Sequence, residues 1–237
     1  MHKVVEELLG KIIVSCQAYE DTPLYGPNYM KAMAESVLMG GASGIRACWP
    51  QDIKAIREIC DKPIIGIYKE FTDSDPLDTV FITPTLQRAK EIIEAGADIL
   101  GIDCTIRPAR GKEELITLLN EIKKRYPNIA IMADIATVEE GIFAAKSGLV
   151  DIVSTTLNGY TRESIDQKKI EKPNVEIIKE LKKEIDIPVN GEGRIWTVED
   201  MQLVLDAGAD MVTIGTAITR PHLITERFVK ANNKYRY

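Results

Sequence analysis

The chain has 237 residues, 45% hydrophobic and 28% charged, a length that allows one domain or two and a core that needs no disulfide or metal staple, since roughly 70% of the unfolded surface is buried at this size. Its net charge of −6 and isoelectric point near 5.2 exclude a nucleic-acid binder with a basic stripe, and the basic stretch at 230–236 is too short to change that. No apolar run approaches the roughly 18 residues of a membrane span, and Met1-His2-Lys3 running into Glu6-Glu7 lacks the apolar centre of a signal peptide, so a cytoplasmic protein is expected.

In chain order, eight apolar runs predict strands: 12–15, 44–46, 64–68, 99–102, 129–132, 151–154, 187–190 and 211–214. They are near-continuous rather than alternating, the pattern of strands covered on both faces in a parallel sheet. Their spacing of about 30 residues matches one strand plus a crossover helix. The expected fold is therefore an α/β (β/α)8 barrel, with residues 1–237 as one domain and no linker between parts.

The helices between the runs are punctuated in pairs. Gly40-Gly41, Ala95-Gly96-Ala97-Asp98, Ser147-Gly148 and Ala207-Gly208-Ala209-Asp210 close helices before the even runs, where glycine supplies a left-handed end. The third, fifth and seventh runs follow Pro-containing turns at Pro63, Pro127 and Pro188 instead, a two-unit period expected if odd and even strands fill alternate layers of a barrel. Thr83-Pro84 predicts an N-cap followed by proline, and Thr137 with Glu140 and Thr197 with Asp200 predict capping boxes. Two connections, 70–82 and 157–173, are long and follow strands, the side of a barrel that carries substrate.

No metal or cofactor is expected. Cys16, Cys48, Cys60 and Cys104 are scattered singly, and His2 and His222 stand apart, which leaves no zinc ribbon, redox pair or triad. Lys, Arg, Asp, Glu and backbone must carry any chemistry. The residues that finish the runs are Gln17, Arg46, Lys69, Asp103, Asp134, Thr155-Thr156, Glu192 and Gly215-Thr216. A barrel places its active site at that end of its strands, although charged residues also begin ordinary solvated loops. Lys69 is the lysine at a strand end; a lysine base needs burial or a neighbouring cation, which Arg46 could supply, and the alternative is a surface ion pair with Glu70. Glu192 sits between Gly191 and Gly193, either at a ligand or in an ordinary turn. Gly191, Gly193, Gly215 and Thr216 follow the seventh and eighth runs, where barrels often hold a phosphate, with Arg194 and Arg220 near.

Taken in order, these strings resemble the bacterial N-acetylmannosamine-6-phosphate 2-epimerases along essentially the whole chain. The likeness is carried by Ser15-Cys16-Gln17-Ala18, Pro23-Leu24-Tyr25-Gly26-Pro27, Gly44-Ile45-Arg46-Ala47, Ile65-Gly66-Ile67-Tyr68-Lys69, and Gly101-Ile102-Asp103-Cys104-Thr105. It continues in Met132-Ala133-Asp134, Thr155-Thr156-Leu157, Gly191-Glu192-Gly193-Arg194 and Ile214-Gly215-Thr216-Ala217, and departs at Asn158, where serine is the commoner residue. The resemblance implies a (β/α)8 isomerase of sialic acid catabolism that inverts C2 of a phosphorylated N-acetylhexosamine. It implies Lys69 as catalytic lysine, Glu192 as partner carboxylate, and Gln17, Arg46 and Asp134 as polar site residues; Thr155 from its strand end and Arg194 from its place after the seventh run are further substrate-binding candidates. A Schiff-base lysine aldolase and a non-catalytic sugar-phosphate sensor are the competing readings. One-base and two-base proton transfer both stay open, and periodicity leaves the oligomeric state open, a homodimer being one expectation.

Overall fold

The apolar runs become strands because β-branched side chains pack well on a pleated surface covered on both sides. A computed structural model describes residues 1–232, so Lys234 and Arg236 of the basic stretch lie outside the described residues. The strands are β1 (Ile12–Cys16), β2 (Gly44–Cys48), β3 (Ile64–Ile67), β4 (Ile99–Asp103), β5 (Ala130–Asp134), β6 (Ile152–Ser154), β7 (Val189–Glu192) and β8 (Met211–Ile214). Each pairs in parallel with the next, and β8 pairs with β1 to close the expected barrel.

Helices α2 (Pro27–Met39), α3 (Pro50–Arg57), α4 (Leu86–Glu94), α5 (Lys112–Arg125), α6 (Val138–Lys146), α7 (Val175–Glu184) and α8 (Val198–Asp206) follow β1 to β7 in turn. Two more follow β8: a short α9 (Thr216–Thr219) and α10 (Pro221–Ala231). Strand residues alternate between two cores. Outward-facing Ile45, Leu100, Ile131, Val153 and Val212 pack with helix residues such as Ile53, Ile92, Leu119 and Ile178. Inward-facing Ile13, Ile65, Ile99, Met132, Ile152 and Met211 fill the barrel. That inner core is plugged from the N-terminal side by Val5 of α1 (Lys3–Glu6) and by Leu8 just beyond it. Each such fully buried aliphatic side chain contributes about 1.5–3 kcal/mol of transfer free energy.

The two-unit period has a visible cause. Asp98, Asp151 and Asp210 stand just before the even strands β4, β6 and β8, and each carboxylate accepts a backbone N–H from the first two residues of the preceding odd strand. The acceptances are from Ile64 N at 2.8 Å, Ile131 N at 2.8 Å and Val189 N at 2.7 Å. A cation from the helix that precedes each odd strand closes each rivet: Arg57 on Asp98, Lys123 on Asp151 and Lys182 on Asp210. The glycines before these strands turn left-handed as expected, with φ of 105° at Gly96, 70° at Gly148 and 99° at Gly208.

Both capping boxes form, at Thr137 with Glu140 and at Thr197 with Asp200. The third helix start is corrected: the N-cap of α4 is Thr85, whose hydroxyl accepts from Arg88 N, not Thr83. Thr83 has a φ of 48°, donates its hydroxyl to Gly101 O at 2.7 Å and accepts from Tyr68 N at 3.1 Å. It is engaged in pinning the long 70–82 loop back to the barrel, which leaves the cap to the next threonine.

Candidate active site

A cavity of about 570 Å³ opens at the C-terminal ends of the strands. Seven of the expected residues line it: Gln17, Lys69, Glu192, Gly193, Arg194, Gly215 and Thr216. They come from the ends of β1, β3, β7 and β8, so residues far apart in sequence meet because the barrel closes. Lys69 does not pair with Glu70; that carboxylate is held by Arg88 at 3.0 Å, and Lys69 Nζ donates to the Tyr19 hydroxyl at 2.7 Å.

Arg46 and Asp134 are placed differently from the rest. They lie in β2 and β5 beneath the cavity floor, almost wholly buried, with Arg46 Nη2 donating to Asp134 Oδ2 at 2.6 Å. Arg46 Nη1 lies 3.4 Å from Glu192 Oε2, so one guanidinium faces two carboxylates. Burial opposes its charge, but Asp134 and Glu192 outweigh that and strengthen its hold on the proton. Gly101 lies beside this pair and makes room for Ile67: a Cβ there would come within 2.5 Å of Ile67 but stay at ordinary contact distance, 3.7 Å, from Arg46 Nη2.

Glu192 is tied into the floor as well. Thr156 donates to Asp134 Oδ1 at 2.6 Å and lies 3.2 Å from Glu192 Oε2, while Asn190, held by Ser154 and Thr213, reaches Glu192 at 3.4 Å. Burial pushes the Glu192 carboxyl up, helped by Asp134, while Arg46 and Lys69 pull the other way. The net direction is upward, so this carboxyl holds its proton more tightly than an ordinary glutamate. Gln17 donates to Ser15 at 2.7 Å, and its buried Oε1 has no partner among the described residues.

Thr155 and Arg194 brace the walls. The Thr155 hydroxyl donates to Glu192 O and accepts from Glu192 N, at 2.9 and 3.0 Å, so it fixes the backbone that carries the carboxylate. It is Thr156, one residue on, that turns into the cavity. Arg194 donates to Asn158 O, Asn158 Oδ1 and Lys172 O at 2.9, 2.8 and 3.0 Å, which stitches the 157–173 loop to the end of β7. Gly191 faces the helix layer, where a Cβ would come within 2.2 Å of Val204, whereas Gly193, with a φ of 109°, lies on the cavity. Gly215 caps α9, and Thr216 and Arg220 stand beside it on the same wall.

Both long loops contribute to the cavity, the first through Phe71, Leu77 and Phe81 and the second through Asn158, Tyr160 and Lys168. Arg162 bridges them at the rim, donating to Asp78 at 2.5 Å and to Asp75 at 2.8 Å. Sequence reasoning missed Tyr19, Ser15, Asn190 and Thr213. The inward parity of Asn190 and Thr213 with Glu192 and Gly215 was readable from strand alternation; Tyr19 lies beyond β1, where no periodic signal reaches. Asp103 is not part of the lining: it is fully buried, accepts from Thr105 and faces Arg107 and Arg110, and so anchors the loop after β4. The thiols of Cys16 and Cys48 are pushed up to about 12, in both cases chiefly by burial, which leaves them un-ionised at neutral pH.

Residues 30–234 match the family model described as "Putative N-acetylmannosamine-6-phosphate epimerase". A protein of Caldanaerobacter subterraneus named as a putative N-acetylmannosamine-6-phosphate 2-epimerase is 44% identical over 99% of this chain and 96% of its own length. A Listeria monocytogenes protein of the same name is 42% identical over 98% of this chain and 99% of its own. The solved structure of the N-acetylmannosamine-6-phosphate 2-epimerase from Clostridium perfringens superposes with a TM-score of 0.86 at 39% identity, covering 97% of this chain and 96% of that one. An aldolase, QR15, superposes at 0.62 with 16% identity, a likeness of fold alone.

Proposed function

The chain belongs to the N-acetylmannosamine-6-phosphate epimerase family, and from that premise we propose that it interconverts N-acetylmannosamine 6-phosphate and N-acetylglucosamine 6-phosphate by removing and returning the proton at C2. It is an isomerase of amino sugar and sialic acid catabolism. The observation that carries the site assignment is the placement of Lys69 and Glu192. Lys69 lies two residues beyond β3 and Glu192 ends β7, four strands apart in a ring of eight, so the amine and the carboxyl reach the same cavity from opposite walls.

In the open-chain sugar, C2 lies next to the C1 aldehyde, so loss of its proton gives an enolate. The neutral Lys69 amine takes that proton, and general acid–base catalysis of this kind is worth about 10²–10⁴-fold. Glu192, its carboxyl pushed up by burial, donates to the substrate oxygen where the enolate charge gathers. Arg46 supports it from below and is itself oriented by Asp134. The Gln17 amide binds a substrate hydroxyl or the N-acetyl group. Backbone N–H groups at Gly193, Gly215 and Thr216 hold the phosphate with Arg220; Gly191 serves that wall by letting α8 pack closely, and Thr155 and Arg194 hold its shape.

The remaining parts of this reading are a cytoplasmic location, which suits four free, buried cysteines, a single catalytic domain over residues 1–237, and a homodimer, for which α10 leaves Phe228 and Val229 exposed. Among the described residues no helix is long and apolar enough to cross a membrane.

The test is incubation with N-acetylmannosamine 6-phosphate in deuterated water, followed by NMR. Appearance of N-acetylglucosamine 6-phosphate with deuterium at C2 is the expected result. Binding with no exchange would point to a sensor, and a borohydride-trapped adduct on Lys69 to an aldolase. Glu192→Gln divides the two proton routes. Loss of about 10²–10⁴-fold in epimerisation with deuterium exchange at C2 of the substrate retained assigns the second transfer to Glu192, and retained epimerisation assigns both to Lys69.

A further inference from the structure

Tyr19 stands on the loop leaving β1, boxed in by aromatic and cationic neighbours. Its ring centre lies 6.0 Å from that of Trp49, edge-on, and 6.0 Å from that of Phe71, with the Arg220 guanidinium 4.8 Å away. Trp49 in turn donates its indole N–H to Lys69 O at 3.0 Å, so one aromatic wall fixes both the phenol and the lysine backbone. Within that frame Lys69 Nζ donates to the Tyr19 oxygen at 2.7 Å. Apart from each other, the charged or titratable groups facing this pair are Arg220 against the phenol, and Glu192 and the Cys48 thiol against the amine.

An amine that gives an N–H to the phenol oxygen keeps its lone pair free for another partner. Fixing that bond therefore fixes where the lone pair points. When the amine takes the C2 proton, the C–H electron pair passes into the enolate and the new ammonium keeps its bond to the phenol oxygen. If the phenol is ionised first, a negative charge stands 2.7 Å from the amine. That charge holds an extra proton on nitrogen and opposes formation of an anionic enolate.

We propose that Tyr19 is a positioning residue for the epimerisation: its hydroxyl aims the Lys69 amine, and it must stay un-ionised for the amine to act as base. This rests on the reading of Lys69 as the base at C2. The reaction needs the phenol with its own proton, so that its oxygen accepts from the amine without carrying a charge. Burial opposes ionisation of Tyr19, but Lys69 and Arg220 outweigh it and hold the phenol below its ordinary value.

The experiment compares wild type with Tyr19→Phe, which keeps the ring and removes the hydroxyl. Wild-type kcat/KM should rise and then fall as pH increases. In the variant the alkaline fall should be absent, kcat should drop about tenfold and KM should stay within about twofold. A variant whose profile retains both limbs of the wild type overturns the proposal. Without substrate, the ultraviolet tyrosinate titration of wild type minus Tyr19→Phe should show a phenol ionising below the ordinary tyrosine value and moving up in Lys69→Met; a phenol indifferent to Lys69 also overturns it. Deuterium incorporation at C2 by the wild type reports on the epimerase reading separately. Exchange together with an unchanged variant profile removes Tyr19 alone, and no exchange removes both.

Discussion

Asp52 is fully buried in the first turn of α3, and neither of its carboxylate oxygens has a hydrogen-bond partner among the described residues. Burial pushes this carboxyl from 3.8 up to about 7. The folded state therefore holds the proton more tightly than the unfolded chain does. The stability this contributes is fully present below the unfolded value and is lost as pH rises through about 7. Asp52→Asn should remove that slope: in urea titrations, wild type should lose stability relative to the variant between about pH 4 and about pH 7. A difference that does not change with pH would contradict the assignment. At this scale the sequence was informative where a strand end carried a charged or amide side chain. Lys69, Glu192 and Gln17 were singled out that way and line the cavity. Arg46 and Asp134 were singled out too, but strand-end position alone does not separate a cavity wall from the floor beneath it. Thr155 and Thr156 differ only in the direction they face, and a 3-10 turn at Thr155–Leu157 decides that where period-two alternation no longer applies.

Among the elements, the odd strands begin on carboxylates that belong to the next unit. Asp210 accepts from Val189 N and from Lys182, and because Glu192 ends the same strand, the rivet also sets the register of a site residue. Asp210→Ala leaves the Val189 N–H without its acceptor and should cost about 1–3 kcal/mol in urea unfolding. It should also lower epimerase activity more than a cap lesion of equal cost at Thr137, which lies on α6 away from β7. Equal losses of activity at equal cost would show that the rivet is structural only. The Gly-Ala-Asp repeats were legible as helix ends, yet the carboxylate's reach back to the preceding strand was not, because it joins residues 21 and 34 positions apart. The Thr83 cap failed for a related reason: a tertiary bond to Gly101 took the hydroxyl that local sequence assigned to the helix.

For the molecule as a whole, the strand count and spacing sufficed to give the barrel, because continuous apolar runs with helix-length gaps have few other parallel solutions. What they could not give was how the mouth is finished. The plug by Val5 and Leu8, the aromatic wall of Tyr19 and Trp49, and the Arg162 bridge between the two long loops all depend on irregular segments meeting in space. The closed ring brings β3 and β7 to opposite walls, and on that placement rests the claim that a lysine amine exchanges the C2 proton across from a buried carboxyl. The direct test is the rate of C2 deuterium exchange by Lys69→Ala at saturating N-acetylmannosamine 6-phosphate. The account requires exchange to fall at least about 10²–10⁴-fold with substrate still bound; exchange at the wild-type rate would contradict it.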